Sequence, residues 1–173
     1  MAGGLRVSTS TGEVRLRPPR HALDRRAIGW WRLQGVLWFA PPVAVLVLLG
    51  LLIPPARAGL LWPAAGAALL GAAWVLVLPG WWFRVHRWEA TDTAVYARSG
   101  FFWQEWRVAP LSRIQTVDTL RGPLQQVFGL ATVTVTTASA RGAIKIRGLA
   151  AEVAADVAEQ LTERTQATPG DAT

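Results

Sequence analysis

The hydrophobic pattern of this chain changes period twice, and each change predicts a new kind of element. Over residues 1–20 small and polar residues dominate and no apolar period is sustained, which predicts a flexible cytosolic tail with Pro18-Pro19 near its end. Residues 21–35 intersperse Ile28, Trp31 and Leu33 with Arg25, Arg26 and Arg32 behind a candidate N-cap, Asp24, and predict a juxtamembrane helix. Residues 36–53 then carry no charge, and neither do residues 60–78. At about 1.5 Å rise per residue each run covers about 28 Å as a helix, close to the thickness of a bilayer's hydrocarbon. Pro41-Pro42 predicts a kink in the first run, whereas Pro63 falls in the first turn of the second, where a missing N–H costs little. Pro79-Gly80 predicts the end of the second run. The pattern gives a transmembrane hairpin: one helix over 36–53, an external turn over 54–59, and a second helix with its interfacial end over 60–83.

From residue 84 the apolar period falls to about two. Strands are predicted over 84–90, 94–98, 101–108, 113–121, 131–138 and 143–147, with Ser99-Gly100 as a tight turn. The spacing of Ile114 and Val117 breaks the alternation and predicts a bulge between them. One helical turn, opened by Gly122-Pro123 and ended by Gly129, separates the fourth and fifth strands. The last element is a helix over 150–164, with Val153, Val157 and Leu161 as its apolar stripe and Glu152, Asp156, Glu159 and Glu163 as an acidic one. Residues 84–165 therefore form a cytosolic domain of strands capped by a helix, and 166–173 a second flexible tail. The fold class is an α+β membrane protein.

Charge fixes the expected orientation. The net charge is +7, and Arg6, Arg15, Arg17, Arg20, Arg25, Arg26 and Arg32 all precede the first span. Arg84 and Arg87 follow the second span, and the turn between holds only Arg57. The positive-inside rule then puts both termini in the cytoplasm of a multi-pass protein of the cell membrane. A basic excess beside an apolar segment suits an anionic bilayer surface, not nucleic acid. Arg25, Arg26, Trp30, Trp31, Arg32, Trp81, Trp82, Arg84 and Arg87 are the candidate membrane-interface residues, because an indole is apolar with one donor and a guanidinium can reach lipid phosphates. Ala64, Ala68 and Ala72, with Ala67 and Gly71, repeat small side chains at four-residue spacing and are candidates for close helix packing.

Candidate chemistry is sparse. The chain has no Cys, so disulfides, thiolate metal sites and a Cys nucleophile are excluded. His21 and His86 have no ligand partner at metal spacing, and no paired carboxylates, phosphate loop or nucleophile elbow is present. Neither span holds an ionisable residue, which disfavours a pump or carrier. No catalytic residue and no cofactor is expected. Arg113, Arg121, Arg141, Lys145 and Arg147 are either one cross-strand basic cluster or scattered solvated charge, and scattered charge is the simpler reading.

Three segments carry a resemblance: residues 110–117, with Pro110, Leu111, Ile114, Gln115 and Val117; residues 122–125, with Gly122, Pro123 and Leu124; and residues 128–133, with Gly129, Leu130 and Ala131. In this order, after a helical hairpin and before an Ala/Glu-rich helix, they resemble the bacterial PH-domain family, the YdbS-like membrane proteins. The resemblance implies a PH-like sandwich or barrel, two nearly orthogonal antiparallel sheets capped by the C-terminal helix, usually of seven strands where six are read above. It implies membrane-associated assembly, not a reaction. The expected function is thus a membrane-anchored PH-like interaction module on the cytoplasmic face, docking a protein partner or itself. A subunit of a transport or export complex and a binder of anionic lipid are the alternatives.

Overall fold

The computed structural model describes residues 19–100, 103–138 and 142–167. Most of both expected tails, the start of the expected strand at Phe101 and part of the turn before Ile144 lie outside them. In chain order the elements are β1 (His21–Ala22), α1 (Arg26–Leu52), a 3₁₀ turn (Pro54–Ala56), α2 (Arg57–Val85), β2 (Arg87–Ala90), β3 (Ala94–Gly100), β4 (Gln104–Pro110), a 3₁₀ turn (Leu111–Arg113), β5 (Ile114–Leu120), α3 (Pro123–Val127), β6 (Leu130–Thr137), β7 (Ile144–Ala150) and α4 (Ala151–Ala167).

The strands form two antiparallel sheets, β1-β2-β3-β4 and β5-β6-β7. Among the described residues no ladder joins them, so the architecture is a pair of sheets and not a closed barrel. The seventh strand is β1, contributed from ahead of the hairpin. It is two residues long, too short for any periodicity to reveal, and pairs His21 with Trp88 and Ala22 with Arg87. The Trp88 indole nitrogen donates to the Ala22 carbonyl at 3.3 Å, and its ring lies 5.3 Å from that of His21.

α1 and α2 pack as an antiparallel pair. A Cβ added at Gly35 would run into the Trp74 ring, one at Gly71 would stand 2.8 Å from the Phe39 side chain, and one at Gly50 would stand 3.0 Å from Leu61. Ala64, Ala67 and Gly71 turn toward α1, while Ala68 and Ala72 are exposed. The face that packs follows steps of three and four, as the helical period demands, and not a strict step of four.

Several boundaries differ from the sequence pattern. The expected juxtamembrane helix and first span are one continuous helix, because nothing between Leu33 and Val36 breaks it. The turn at its far end is shorter than expected, with α2 beginning at Arg57. α2 runs through Pro79-Gly80 to Val85, and Pro79 is buried within it. Proline removes one backbone donor, which packed apolar helices tolerate. Ser99-Gly100 belongs to β3, where Gly100 pairs with Gln104. On α4 the buried stripe is Ala154, Val157 and Leu161, with Val153 40% exposed. Steps of four overshoot the 3.6-residue turn, so Val153 rotates off a stripe centred on Val157. The expected bulge is present: the register of β5 on β6 shifts between Ile114 and Thr116.

One apolar core joins all layers. Val95 and Ala109 from the first sheet meet Val133, Val135, Ile144 and Ile146 from the second and Ala154, Val157 and Leu161 from α4. Leu23, Ala27, Trp30 and Trp31 belong to the same core. They enter where β7 bulges: its register steps from Ala131–Leu149 to Thr132–Arg147 and leaves Gly148 unpaired at φ +83°. A Cβ at Gly148 would stand 2.9 Å from that of Ala27, and the Gly148 carbonyl accepts the Asp24 N–H at 3.1 Å. Glycine is needed here for both its backbone angle and its missing side chain. Gly148→Ala is expected to lower stability by about 2–3 kcal/mol, read as a lower melting temperature. Gly66→Ala, where an added Cβ meets nothing within 4 Å, should leave the melt unchanged or raised.

Candidate functional site

The site lies where the base of the hairpin meets the outer face of the second sheet. Register puts Leu120, Thr132 and Arg147 in one cross-strand row and Asp118, Thr134 and Lys145 in the next. Val133 and Val135 point the other way, into the core. A cleft of two lobes opens over this polar face, of about 480 and about 440 Å³, and both lobes are lined by Trp31, Trp82, Lys145 and Arg147.

The upper wall is aromatic. Trp31 meets Trp82 edge-on at 5.7 Å, Trp82 meets Trp74 edge-on at 5.3 Å, and Phe39 lies 6.2 Å from Trp74. His86 caps α2: its backbone N–H and its ring Nδ1 both reach the Trp82 carbonyl, at 2.9 and 2.8 Å. A carbonyl only accepts, so Nδ1 carries the proton. Burial, and secondarily the nearby Arg147 guanidinium, hold the His86 pKa below its ordinary value, against the opposing effect of the Trp82 hydrogen bond.

The cations fall into two groups. Arg26 pairs with Asp24 at 3.1 Å. Burial alone would raise the Asp24 carboxyl, but the hydrogen bonds from Arg26 take it below the usual carboxylate range. Asp24 also accepts the Arg26 backbone N–H at 2.8 Å from one residue ahead of the N-cap of α1, which is Arg25 and not Asp24 as the sequence suggested. Arg87 donates to the Phe83 and His86 carbonyls at 2.8 and 2.9 Å and closes the end of α2. Arg107, on the cleft rim, pairs with Glu105 at 2.8 Å and donates to the Ala143 carbonyl at 3.1 Å. Lys145 and Arg147 are exposed, and among the described residues their side chains make no hydrogen bond or ion pair.

The residues expected at the membrane interface therefore divide. Trp30 and Trp31 are buried, at 7% and 6% exposure, because α1 drives them into the sheets. Trp82 and Arg87 are half-buried, while Arg25, Arg26, Arg32, Trp81 and Arg84 face outward. Trp38 and Trp62, which sequence reasoning passed over, are 78% and 79% exposed. Of the five cations weighed as a cluster, Lys145 and Arg147 come together, Arg113 and Arg121 do not line the cleft, and Arg141 lies outside the described residues. The i, i+2 spacing of Lys145 and Arg147, alternating with Ile144 and Ile146, was the available signal. Nothing in the sequence brought Trp31 or Trp82 to them.

The resemblance segments are structural. Leu111, Ile114, Leu130 and Ala131 are core residues, and Leu124 and Val117 pack against the core. Gln115 is exposed beside the bulge, and Pro110 ends β4. Gly122 and Pro123 open α3, and the Gly122 N–H donates to Gln125 Oε1 at 3.1 Å. Buried Gln125 in turn donates to Thr132 Oγ1 at 2.8 Å, tying α3 to the cleft floor. Gly129, at φ +65°, accepts the Ala151 N–H at 3.0 Å and lies against the Arg26 guanidinium.

Antiparallel sheets of four and three strands with a C-terminal helix define a PH-type module. Residues 34–165 match the family model of the bacterial PH domain, and the chain belongs to that family. It is 28% identical, over 70% of its length and 78% of the relative's, to the UPF0699 transmembrane protein YdbS of Bacillus subtilis (strain 168). No solved structure matches the chain. Neither the family nor the side chains point to a reaction: among the described residues, no three His, Asp or Glu are placed to hold a metal.

The His86 environment gives a pH dependence. With its folded pKa below the ordinary 6.5, the unfolded chain binds the extra proton first, so its protonation opposes folding. Stability should be full above about pH 6.5 and fall as pH drops below it, seen as a falling melting temperature between about pH 7 and pH 5. His86→Gln should flatten that slope.

Proposed function

We propose that this chain is a membrane-anchored, non-catalytic PH-like interaction module, held at the cytoplasmic face by its helical hairpin and docking a protein partner or a second copy of itself. The observation that carries the reading is where apolar surface is left uncovered. Both helices are long and apolar enough to cross a membrane. Leu52, Leu69, Leu70 and Leu76 are each about two-thirds exposed or more, on a protein whose other end has an ordinary packed core. Exposure of that extent on facing helices is costly in water and natural in lipid. Trp38 and Trp81 at one end of the exposed zone, and Trp62 at the other, suit the two aromatic belts of a spanning pair. The Arg-rich flanks favour both termini inside, and the similarity to a Bacillus transmembrane protein supports the anchor.

Because the chain has no Cys, single-Cys variants report topology cleanly. Ala58→Cys, in the first turn of α2, should react with an impermeant maleimide added to intact cells. Thr162→Cys, on α4, should react only after permeabilisation. The reverse pattern, or labelling of both from outside, would sink this orientation.

Docking is supported by the outer edge of the first sheet. β4 pairs only with β3 among the described residues, and Trp103 beside it is 86% exposed, with Trp106 and Val108 at 36% each. The Arg98 guanidinium, from the neighbouring β3, lies 5.5 Å from the Trp106 ring. An unpaired strand edge with aromatic side chains is a surface for adding a strand or an apolar face. Crosslinking of the full chain in its native membrane should capture a partner or a dimer, and Trp103→Ser with Val108→Ser should reduce that product severalfold. An unchanged product would show that β4 is not the docking edge.

A further inference from the structure

We propose that the free edge of β4 binds a second copy of this chain, the two strands pairing antiparallel about a two-fold axis through Trp106. Naming the second copy as the partner rests on the docking reading of this edge given above. The β3–β4 ladder fixes which backbone groups the edge offers. The Leu111 N–H donates to the Thr93 carbonyl at 2.9 Å, and the register continues from Ala94–Pro110 to Gly100–Gln104. In an antiparallel pair, hydrogen-bonded and non-hydrogen-bonded positions alternate. Ala109, Arg107 and Glu105 therefore bond to β3, while Gln104, Trp106 and Val108 turn their N–H and C=O groups outward. Pro110 falls in an outward position, where its missing N–H costs β3 nothing, and it ends the usable edge.

The charges of β4 then select one register. A two-fold pair places residue i opposite residue j and j opposite i. Centred on Trp106, it sets Gln104 opposite the second copy's Val108, and every outward N–H of Gln104, Trp106 and Val108 meets a carbonyl. The same register sets Glu105 opposite the second copy's Arg107, and Arg107 opposite its Glu105. These are non-hydrogen-bonded positions, where opposed side chains come closest. Centring one residue earlier would oppose Glu105 to Glu105, and one residue later Arg107 to Arg107, each a like-charge contact. A centre between residues would set outward groups against inward ones and leave the ladder unmade. Glu105 and Arg107 already pair within the strand at 2.8 Å, so two copies join two ion pairs into one cluster of alternating sign. On the opposite face the two Trp106 rings come side by side, each beside its own Arg98. Chains anchored in one bilayer meet at a raised effective concentration, so a short ladder suffices.

The test uses two differently tagged full-length chains, Gln104→Cys and Val108→Cys, co-expressed and oxidised in their membranes with copper phenanthroline. The natural chain has no Cys to interfere. Opposed Cα atoms at hydrogen-bonded positions stand about 5.5 Å apart, within reach of a disulfide. Either variant paired with its own kind would have to bridge an offset of four residues, about 14 Å, beyond that reach. The expected result is a disulfide joining the two tags, with at least about tenfold less product from either variant expressed alone. Equal product from one variant alone, or none from the mixture, overturns the proposal. In the same Cys background Glu105→Arg should reduce the product about fivefold, and Glu105→Arg with Arg107→Glu should restore it. Failure of that rescue overturns the register. Melting curves show that each variant is folded. The two readings part on the crosslink of the full chain in its native membrane. If the mixture forms no disulfide while a different protein is still captured through β4, the self-pair fails and the docking edge stands. If that capture is also insensitive to Trp103→Ser with Val108→Ser, both fail.

Discussion

The structure depends on the insertion of one helix start into one strand bulge. Leu23, Ala27 and Trp30 fill the opening that Gly148 makes in β7, and Asp24 ties the chain to the Gly148 carbonyl. Burial of an apolar side chain of this size contributes about 2 kcal/mol, so the contact is worth several kcal/mol. That is enough to make the hairpin and the sheets one body and not two bodies on a tether. β1 strengthens the joint, since the residues just ahead of α1 are hydrogen-bonded into the first sheet.

Helix length follows from this joint. α1 has 27 residues and α2 has 29, which at about 1.5 Å each is about 40 Å, or roughly 10 Å more than the hydrocarbon of a bilayer. The surplus is used inside the protein: the first turns of α1 and the last turn of α2 belong to the domain. The uncovered apolar surface begins at Val36, directly after the last of these contacts. The same geometry brings Trp31 and Trp82 over the Thr-, Lys- and Arg-bearing face of the second sheet, so the hairpin's seat and the cleft have one origin.

Much of this was legible along the chain. The two apolar runs, the bulge after Ile114, the Gly129 turn and the alternation of Ile144 and Ile146 with Lys145 and Arg147 are local patterns, and local patterns survive into structure. The elements misjudged were those whose ends are set by distant partners. Pro79-Gly80 reads as a stop, yet α2 continues because Trp82 and Phe83 pack against the core and Val85 is buried in its last turn. Trp30 and Trp31 read as interfacial because Arg residues flank them in sequence, but in space Trp30 lies at the Gly148 bulge and Trp31 against Trp82 and His86. β1 had no signal, because two residues carry no period.

The amino-acid sequence by itself determined which segments are apolar enough for lipid, which alternate as strands, where the positive charge lies, and which catalytic chemistries lack their residues. Each follows from composition and spacing within a few turns of chain. Only the tertiary structure decided which tryptophans are core and which are outward, that the seventh strand comes from ahead of the hairpin, and that Lys145 and Arg147 share a cleft with Trp31 and Trp82. Those facts depend on contacts between residues far apart in sequence, through the Gly148 bulge that lets α1 enter the sheet, and no periodicity encodes such a meeting.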